Sequence, residues 1–379
     1  MGRLELVSHH HGNRHTMTLL SGSRRPRWII EVLDRQNRTV RVLDGVINHS
    51  IELAATERLG GNATLELDAE AAGNIDWLSA RVRFTYDPGI DGVDAWPLGV
   101  FTMSSPKESF TALGRRKLTV ACPHLPIIVD THRFTSAVTI PKGTKIVDWV
   151  VNALTTQVGI PRAQIAATSL GTVTASERSY DPKDSTLTIV NDLLTTAGYW
   201  SLRCDLNGNF VVKPWDAPIS RAPMFEFTKD EYGITMADWD REQNLSNIPN
   251  RVVVGTAGSE EEPAIIGVAE ITDPKNPYSI ANRGVVSKYY DVEATDKKAA
   301  NAQAAQRLDL ALDPVLKVEV EHALVPLTPN DAVLYEIDGQ FERFTVQRMS
   351  INGTFDAHCK ATWRGVSGLE FSETGGDAD

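Results

Sequence analysis

Residues 28–43 read Trp28-Ile29-Ile30-Glu31-Val32-Leu33, then a polar stretch from Asp34 to Arg38, then Thr39-Val40-Arg41-Val42-Leu43. Two apolar, β-branched runs around a turn-forming stretch predict an antiparallel hairpin. The pattern repeats downstream at 50–54, 62–67, 81–86, 96–103 and 117–121. Short strands with turn signals between them predict a first β-barrel or sandwich module over 27–130, with a brief helix expected at 74–78. Upstream, residues 1–26 are polar and basic, with His9, His10, His11, His15, Arg24 and Arg25, and read as a flexible N-terminal arm.

The pattern changes after residue 130. In 145–158 (KIVDWVVNALTTQV), Ile146, Val147, Trp149, Val150, Ala153 and Leu154 share one helical face. Thr144 is the expected N-cap, and Gly159 with Pro161 ends the helix. A second helix is expected over 185–197, stopped by Gly198. Asn207-Gly208 then separates two apolar runs, 199–204 and 210–214, the strongest short-range signal for a hairpin. This helix–helix–hairpin block, 131–215, predicts a small α+β domain.

Residues 216–249 read as a connector, and β pattern resumes at Asn250-Arg251-Val252-Val253-Val254. An acidic loop follows at 260–263. The alanine-rich segment 295–312 has strong helix propensity. Strands are expected at 316–324, 332–337, 343–350 and 355–363, giving a second β module over 250–366 and a polar tail, 367–379, expected to be disordered. The expected fold is α+β and predominantly β: two β-barrel or sandwich modules with an intervening small α+β domain.

Composition narrows the function. The formal charge is −11, from 38 basic and 49 acidic residues, which argues against tightly held nucleic acid. No stretch approaches the ~20 apolar residues needed to span a bilayer, so no membrane insertion is expected. The N-terminus shows no apolar signal core, which points to synthesis and folding in a reducing cytosol. Three cysteines, Cys122, Cys204 and Cys359, lie far apart and form no CxxC pair, so neither a disulfide framework nor a zinc site is expected.

No phosphate-binding loop, nucleophile elbow or HExxH is present, and neither a catalytic residue nor a cofactor is assigned. The His9–His10–His11 and His15 cluster has no fixed ligand geometry and reads as a solvated arm. Asp87-Pro88-Gly89-Ile90-Asp91-Gly92 resembles the start of a calcium loop, but the twelfth position is Leu98 where a bidentate Glu is required. A surface turn explains it better. The eight tryptophans fall about one per structural element and read as core anchors, not a sugar platform. Asp238, Asp240 and Glu242 form the kind of carboxylate group any acidic chain offers.

Several motifs resemble, in their order, the tail hub proteins of long-tailed bacteriophages, which are similar to the baseplate hub of contractile phages and to the N-terminal part of tail-associated lysins. They begin with Trp96-Pro97-Leu98-Gly99-Val100-Phe101. The turn at Gly143 follows, entering the helix that ends at Gly159. Next come the Asn207-Gly208 hairpin and the Asn250-Arg251-Val252 strand start. Pro329-Asn330-Asp331 closes the series, with Asn330 where the family commonly has Gly. The resemblance covers about 27–366.

It implies a structural, non-enzymatic role as a homotrimer whose two β modules per chain cap a hexameric tail tube. Implied partners are a distal tail protein or tail-tube ring, the tape measure protein C-terminus and distal tip or fibre proteins. Genomic DNA would pass through transiently without specific binding, and the implied location is the virion tail tip. Some relatives carry a C-terminal peptidoglycan-degrading domain, an activity expected here to be absent or supplied by another protein. A lumen of neutral or negative potential is expected to let DNA slide, and lysine or arginine lining it would count against this. The alternatives are a receptor- or glycan-binding minor tail protein and a cell-wall hydrolase component.

Overall fold

The computed structural model describes residues 19–110, 115–231, 233–242, 248–256, 264–311, 317–354 and 357–366. His9, His10, His11 and His15, the acidic loop at 260–263 and the tail at 367–379 lie outside the described residues. Within the segment expected as an arm, Leu20 is buried, and Arg24 donates to the carbonyls of Leu20 and Leu324.

The first third contains β1 (Arg27–Leu33), β2 (Thr39–Val42), β3 (Val46–Ala54), β4 (Gly61–Asp68), β5 (Arg81–Asp87), β6 (Trp96–Thr102), β7 (Ser104–Phe110) and β8 (Arg116–Pro123). The hairpin β1–β2 joins β5 and β6 in a four-stranded sheet, order β2-β1-β5-β6. The helix expected at 74–78 is absent. Asp76 instead accepts the Leu78 amide in an Asx turn, and the helical turn falls at Ala69–Ala72, capped by Asp68.

The middle holds β9 (Val138–Ile140), α1 (Ile146–Asn152), β10 (Ile165–Ala167), β11 (Arg178–Tyr180), α2 (Thr186–Thr196), β12 (Arg203–Cys204) and β13 (Phe210–Val212). Ser185 caps α2 through its hydroxyl, which accepts the Thr188 amide at 3.1 Å. At α1 the expected cap fails: Lys145 occupies the N-cap position, while the Thr144 hydroxyl donates to Pro141 O at 2.8 Å. α1 runs on as a π-helix over Ala153–Gln157. Leu154, Leu187, Val190, Leu193, Leu194, Tyr199 and Phe210 fill the core here.

The last part contains β14 (Pro223–Phe227), β15 (Thr235–Glu242), β16 (Arg251–Gly255), β17 (Ile266–Glu270), β18 (Ser287–Asp291), α3 (Lys297–Ala311), β19 (Lys317–Ala323), β20 (Ala332–Ile337), β21 (Gln340–Asn352) and β22 (His358–Gly365). Residues 216–249, expected as a connector, therefore contribute two strands. β16 sits between β17 and β18, and this small sheet packs Val252 and Val254 against Ala300, Ala304 and Leu308 of α3.

β21 unites the β-rich parts. Its first half pairs with β20 and β22, and its second half pairs with β3, placing Ile351 opposite Ile51. The result is one continuous path of eight strands, β15-β19-β22-β21-β3-β4-β8-β7, with β20 and β14 branching from β21. A single apolar core runs beneath it, from Phe84 and Phe101 to Phe344 and Trp363. Each fully buried side chain of this size contributes about 1.5–3 kcal/mol.

Candidate assembly edges and the polar sheet face

The eight-stranded path ends in two open edges. β7 pairs only with β8, and β15 pairs only with β19, among the described residues. β7 reads Ser-Ser-Pro-Lys-Glu-Ser-Phe and contains Pro106, a residue confined to edge strands and bulges because it has no amide hydrogen to donate. Phe110 at its end is 72 % exposed. The register of β15 slips between Thr235 and Trp239, which bends that edge too.

Alternation along β3, β4, β19 and β22 gives the path one dry face and one wet face. On β4, Ala63, Leu65 and Leu67 face the core, while Asn62, Thr64, Glu66 and Asp68 face away. Ser50 and Glu52 of β3, Glu319 and Glu321 of β19, and Lys360 and Thr362 of β22 continue the polar face. The face does carry basic side chains, but carboxylates meet them. Lys117 Nζ lies 2.7 Å from Glu66, Arg348 lies 2.6 Å from Glu57 and 3.5 Å from Glu52, and Lys360 lies 3.9 Å from Glu321. These pairs are partly exposed, so they neutralise the basic groups locally more than they stabilise the chain.

The residues singled out in the sequence are dispersed through the fold. Trp96, Leu98 and Phe101 are buried in β6, where Trp96 packs edge-on to Tyr86 and Phe101 to Phe84. Gly99 has φ 133°, and a Cβ there would lie 2.8 Å from the Phe101 ring. Gly143 and Gly159 have positive φ, in turns before and after the α1 helix. Asn207 and Gly208 form the tip that docks onto the first sheet: Asn37 Nδ2 donates to Gly208 O at 3.1 Å. Asn250 is fully buried, donating to the carbonyls of Tyr278 and Gly284 and accepting the Val286 amide, beside buried Val252.

Asn330 takes φ 74° after Pro329, and the Asp331 carboxylate accepts from the Thr328 amide and hydroxyl. Burial pushes the Asp331 carboxyl above its ordinary range despite those two donors. Nearby, Arg203 and Arg221 each lie 5.0 Å from the centre of the Trp200 ring, and Arg221 donates to Asn330 O. These residues hold turns, cores and docking contacts and converge on no cleft. Among the described residues no group of three or more His, Cys, Asp or Glu is placed to hold a metal. Asp87, from the calcium-like stretch, accepts the Gly89 amide and pairs with Arg27.

The two open edges were missed in the sequence because 104–110 lacks alternation. Pro106 between two strand-like runs was the available signal. The tryptophans of the described residues are spread over separate cores: Trp96 and Trp363 in one, Trp149 against another, Trp215 against the third.

No family model and no curated protein matches the chain. Solved structures do. The tail protein from Neisseria meningitidis MC58 superposes with a TM-score of 0.61 at 13 % identity, over 90 % of this chain and 97 % of that one. The 43 kDa tail protein of prophage MuSo2 from Shewanella oneidensis gives 0.60 at 10 % identity, over 89 % and 98 %. The E. coli c3393 protein, a type VI secretion system component described as similar to phage tail proteins, gives 0.53 at 9 % identity, over 85 % and 74 %. The chain has the predominantly β, α+β fold of phage tail and baseplate-hub-like proteins.

Proposed function

We propose that the protein is a structural, non-enzymatic subunit of a phage tail tip, a homotrimeric hub that caps the hexameric tail tube and leaves a channel for the genome. The observation that carries this reading is the eight-stranded path whose two open edges come from different parts of the chain. A strand edge left unpaired templates uncontrolled association, and a heterologous contact that closes on itself removes the hazard. Joining β7 of one copy to β15 of the next, three times, closes a ring that covers both of these edges. Two similar β halves per chain then present six-fold-like ends to a hexameric tube.

In such a ring the α+β segment occupies the outer side, and the polar face lines the lumen. Lysine and arginine on that face count against a lumen free of basic residues. What the ion pairs support is a lumen whose basic groups are neutralised locally, so that DNA phosphates find few unpaired cations and slide. The partners would be a distal tail protein or tail-tube ring above, the tape measure C-terminus within, and distal tip or fibre proteins below. The protein would be made in the host cytoplasm and reside at the virion tail tip.

The test is the mass of the purified protein by native mass spectrometry. A trimer of the 41.6 kDa chain, with a central channel on imaging, supports the hub. A monomer that stays monomeric alongside tail-tube protein overturns it.

A further inference from the structure

Around Trp200, the cations Arg203, Lys213 and Arg221 meet the carboxylates Asp216 and Asp331. Arg203 and Arg221 each lie 5.0 Å from the centre of the Trp200 ring. Asp216 accepts from Trp200 Nε1 at 2.8 Å and lies 3.5 Å from Arg221 and 3.6 Å from Lys213. Asp331 is occupied by the Thr328 amide and hydroxyl. Arg221 also donates to the carbonyls of Asn330 and Asp216. Arg203 is different. It is only partly exposed, yet among the described residues its guanidinium has no hydrogen-bond or ion-pair partner and rests on the indole alone. Burial lowers its pKa from the ordinary arginine value, as for a charge short of compensation.

The described chain ends beside this cluster. Val366 N donates to Arg343 O at 2.9 Å, and Arg343 Nη1 donates to Arg221 O at 2.6 Å. Two arginines and one ring therefore separate the chain end from Arg203. The segment that leaves from there, 367–379, reads SGLEFSETGGDAD. Its charged residues are all acidic: Glu370, Glu373, Asp377 and Asp379. Extended chain from Val366 to Glu373 covers about 23 Å at ~3.3 Å per residue, enough to reach the far side of the ring.

We propose that the acidic segment 367–379 of this same chain folds back on the cluster, where a carboxylate of Glu370 or Glu373 pairs with the Arg203 guanidinium. A guanidinium presents parallel N–H donors at the spacing of the two carboxylate oxygens, so a carboxylate fits it where a carbonyl or hydroxyl fills only part. The cluster holds more cations than carboxylates, and the segment brings carboxylates with no cation of its own. It is also tethered next to the site, which gives it an effective concentration on the order of mM that a free chain lacks. The contact uses neither β7 nor β15 and does not rest on the hub reading.

The experiment uses the full chain with a photoreactive benzoylphenylalanine in place of Phe371, between the two glutamates. Irradiation is expected to give an adduct within one chain, at monomer mass on a denaturing gel, joined to the peptide carrying Trp200 and Arg203 or the one carrying Arg221. Its yield is expected to fall at least fivefold when Glu370→Gln and Glu373→Gln are combined, and to fall likewise with Arg203→Gln. Arg203→Lys, which keeps the charge, should retain more of the yield than Arg203→Gln. Salt at about 1 M, where the Debye length is ~3 Å, should lower the yield as well. Circular dichroism of each variant, read alongside, separates a lost contact from a lost fold. Adducts at twice the monomer mass, adducts elsewhere in the chain, or a yield indifferent to the paired glutamate substitutions would each overturn the proposal.

Discussion

Asn37, in the turn between β1 and β2, accepts from Arg81 at 2.6 Å and donates to Gly208 O at 3.1 Å. It holds φ 60°, a conformation Asn tolerates better than most residues, and it links the buried Arg81 to the tip of a hairpin some 170 residues away in sequence. Gln164 completes the joint, accepting from Arg81 and donating to Arg35 O. Asn37→Ala removes both bonds and strains the turn, and is expected to cost about 1–3 kcal/mol. Asn37→Gly relieves the backbone and should cost less. Urea unfolding midpoints of the two variants check the order.

Gly208 is the other half of that joint. Its φ is 80°, and a Cβ there would lie 2.8 Å from Val100 Cβ and 2.9 Å from Asn37 Nδ2. Gly208→Ala is expected to destabilise by about 1–3 kcal/mol through overpacking. Thermal unfolding should show a lowered Tm, with the β-sheet circular dichroism of the folded state retained.

Acid should loosen the core from within. His49 and His322 are buried, their Nε2 atoms have no hydrogen-bond partner among the described residues, and burial lowers each pKa from 6.5 to about 4. Folded imidazoles thus bind fewer protons than unfolded ones between those values. Their stabilisation is complete above pH 6.5 and is lost as pH falls toward 4, by up to roughly 3 kcal/mol each. His322 packs against Phe227 and Trp363, so His322→Phe fits the same aromatic cluster. That variant should lose less stability than wild type between pH 7 and pH 5, measured by urea titration.

The ion pairs on the polar face make a charge prediction. Glu52→Gln, Glu66→Gln and Glu321→Gln together leave Arg348, Lys117 and Lys360 with fewer carboxylates opposite them. Duplex DNA binding is expected to be negligible for wild type and to appear in the triple variant, weakening with salt at a log–log slope of about −0.9 per phosphate neutralised. Filter binding across a salt series reads both numbers.

Much of this fold is legible locally. Residues 332–337 form β20 at the predicted bounds, because alternation and the flanking turns agree, and the helix expected over 185–197 forms as α2. Thr144 misled because its hydroxyl serves the preceding turn. β14 hid in a presumed connector: its partner is the parallel β20, so no turn signal links them. The fusion of the β halves is beyond local reading, since the Glu52–Ser350 pairing joins residues 298 positions apart. β10 was equally hidden, because a strand of three residues carries no period.

β21, shared by both halves, also sets how the molecule bears load. Its thirteen residues are clamped by β20 and β22 at one end and by β22 and β3 at the other. Neither half can hinge against the other without shearing backbone hydrogen bonds along one beam. A thrust on one rim of the protein is therefore carried to the other as through a stiff girder, with little give in between.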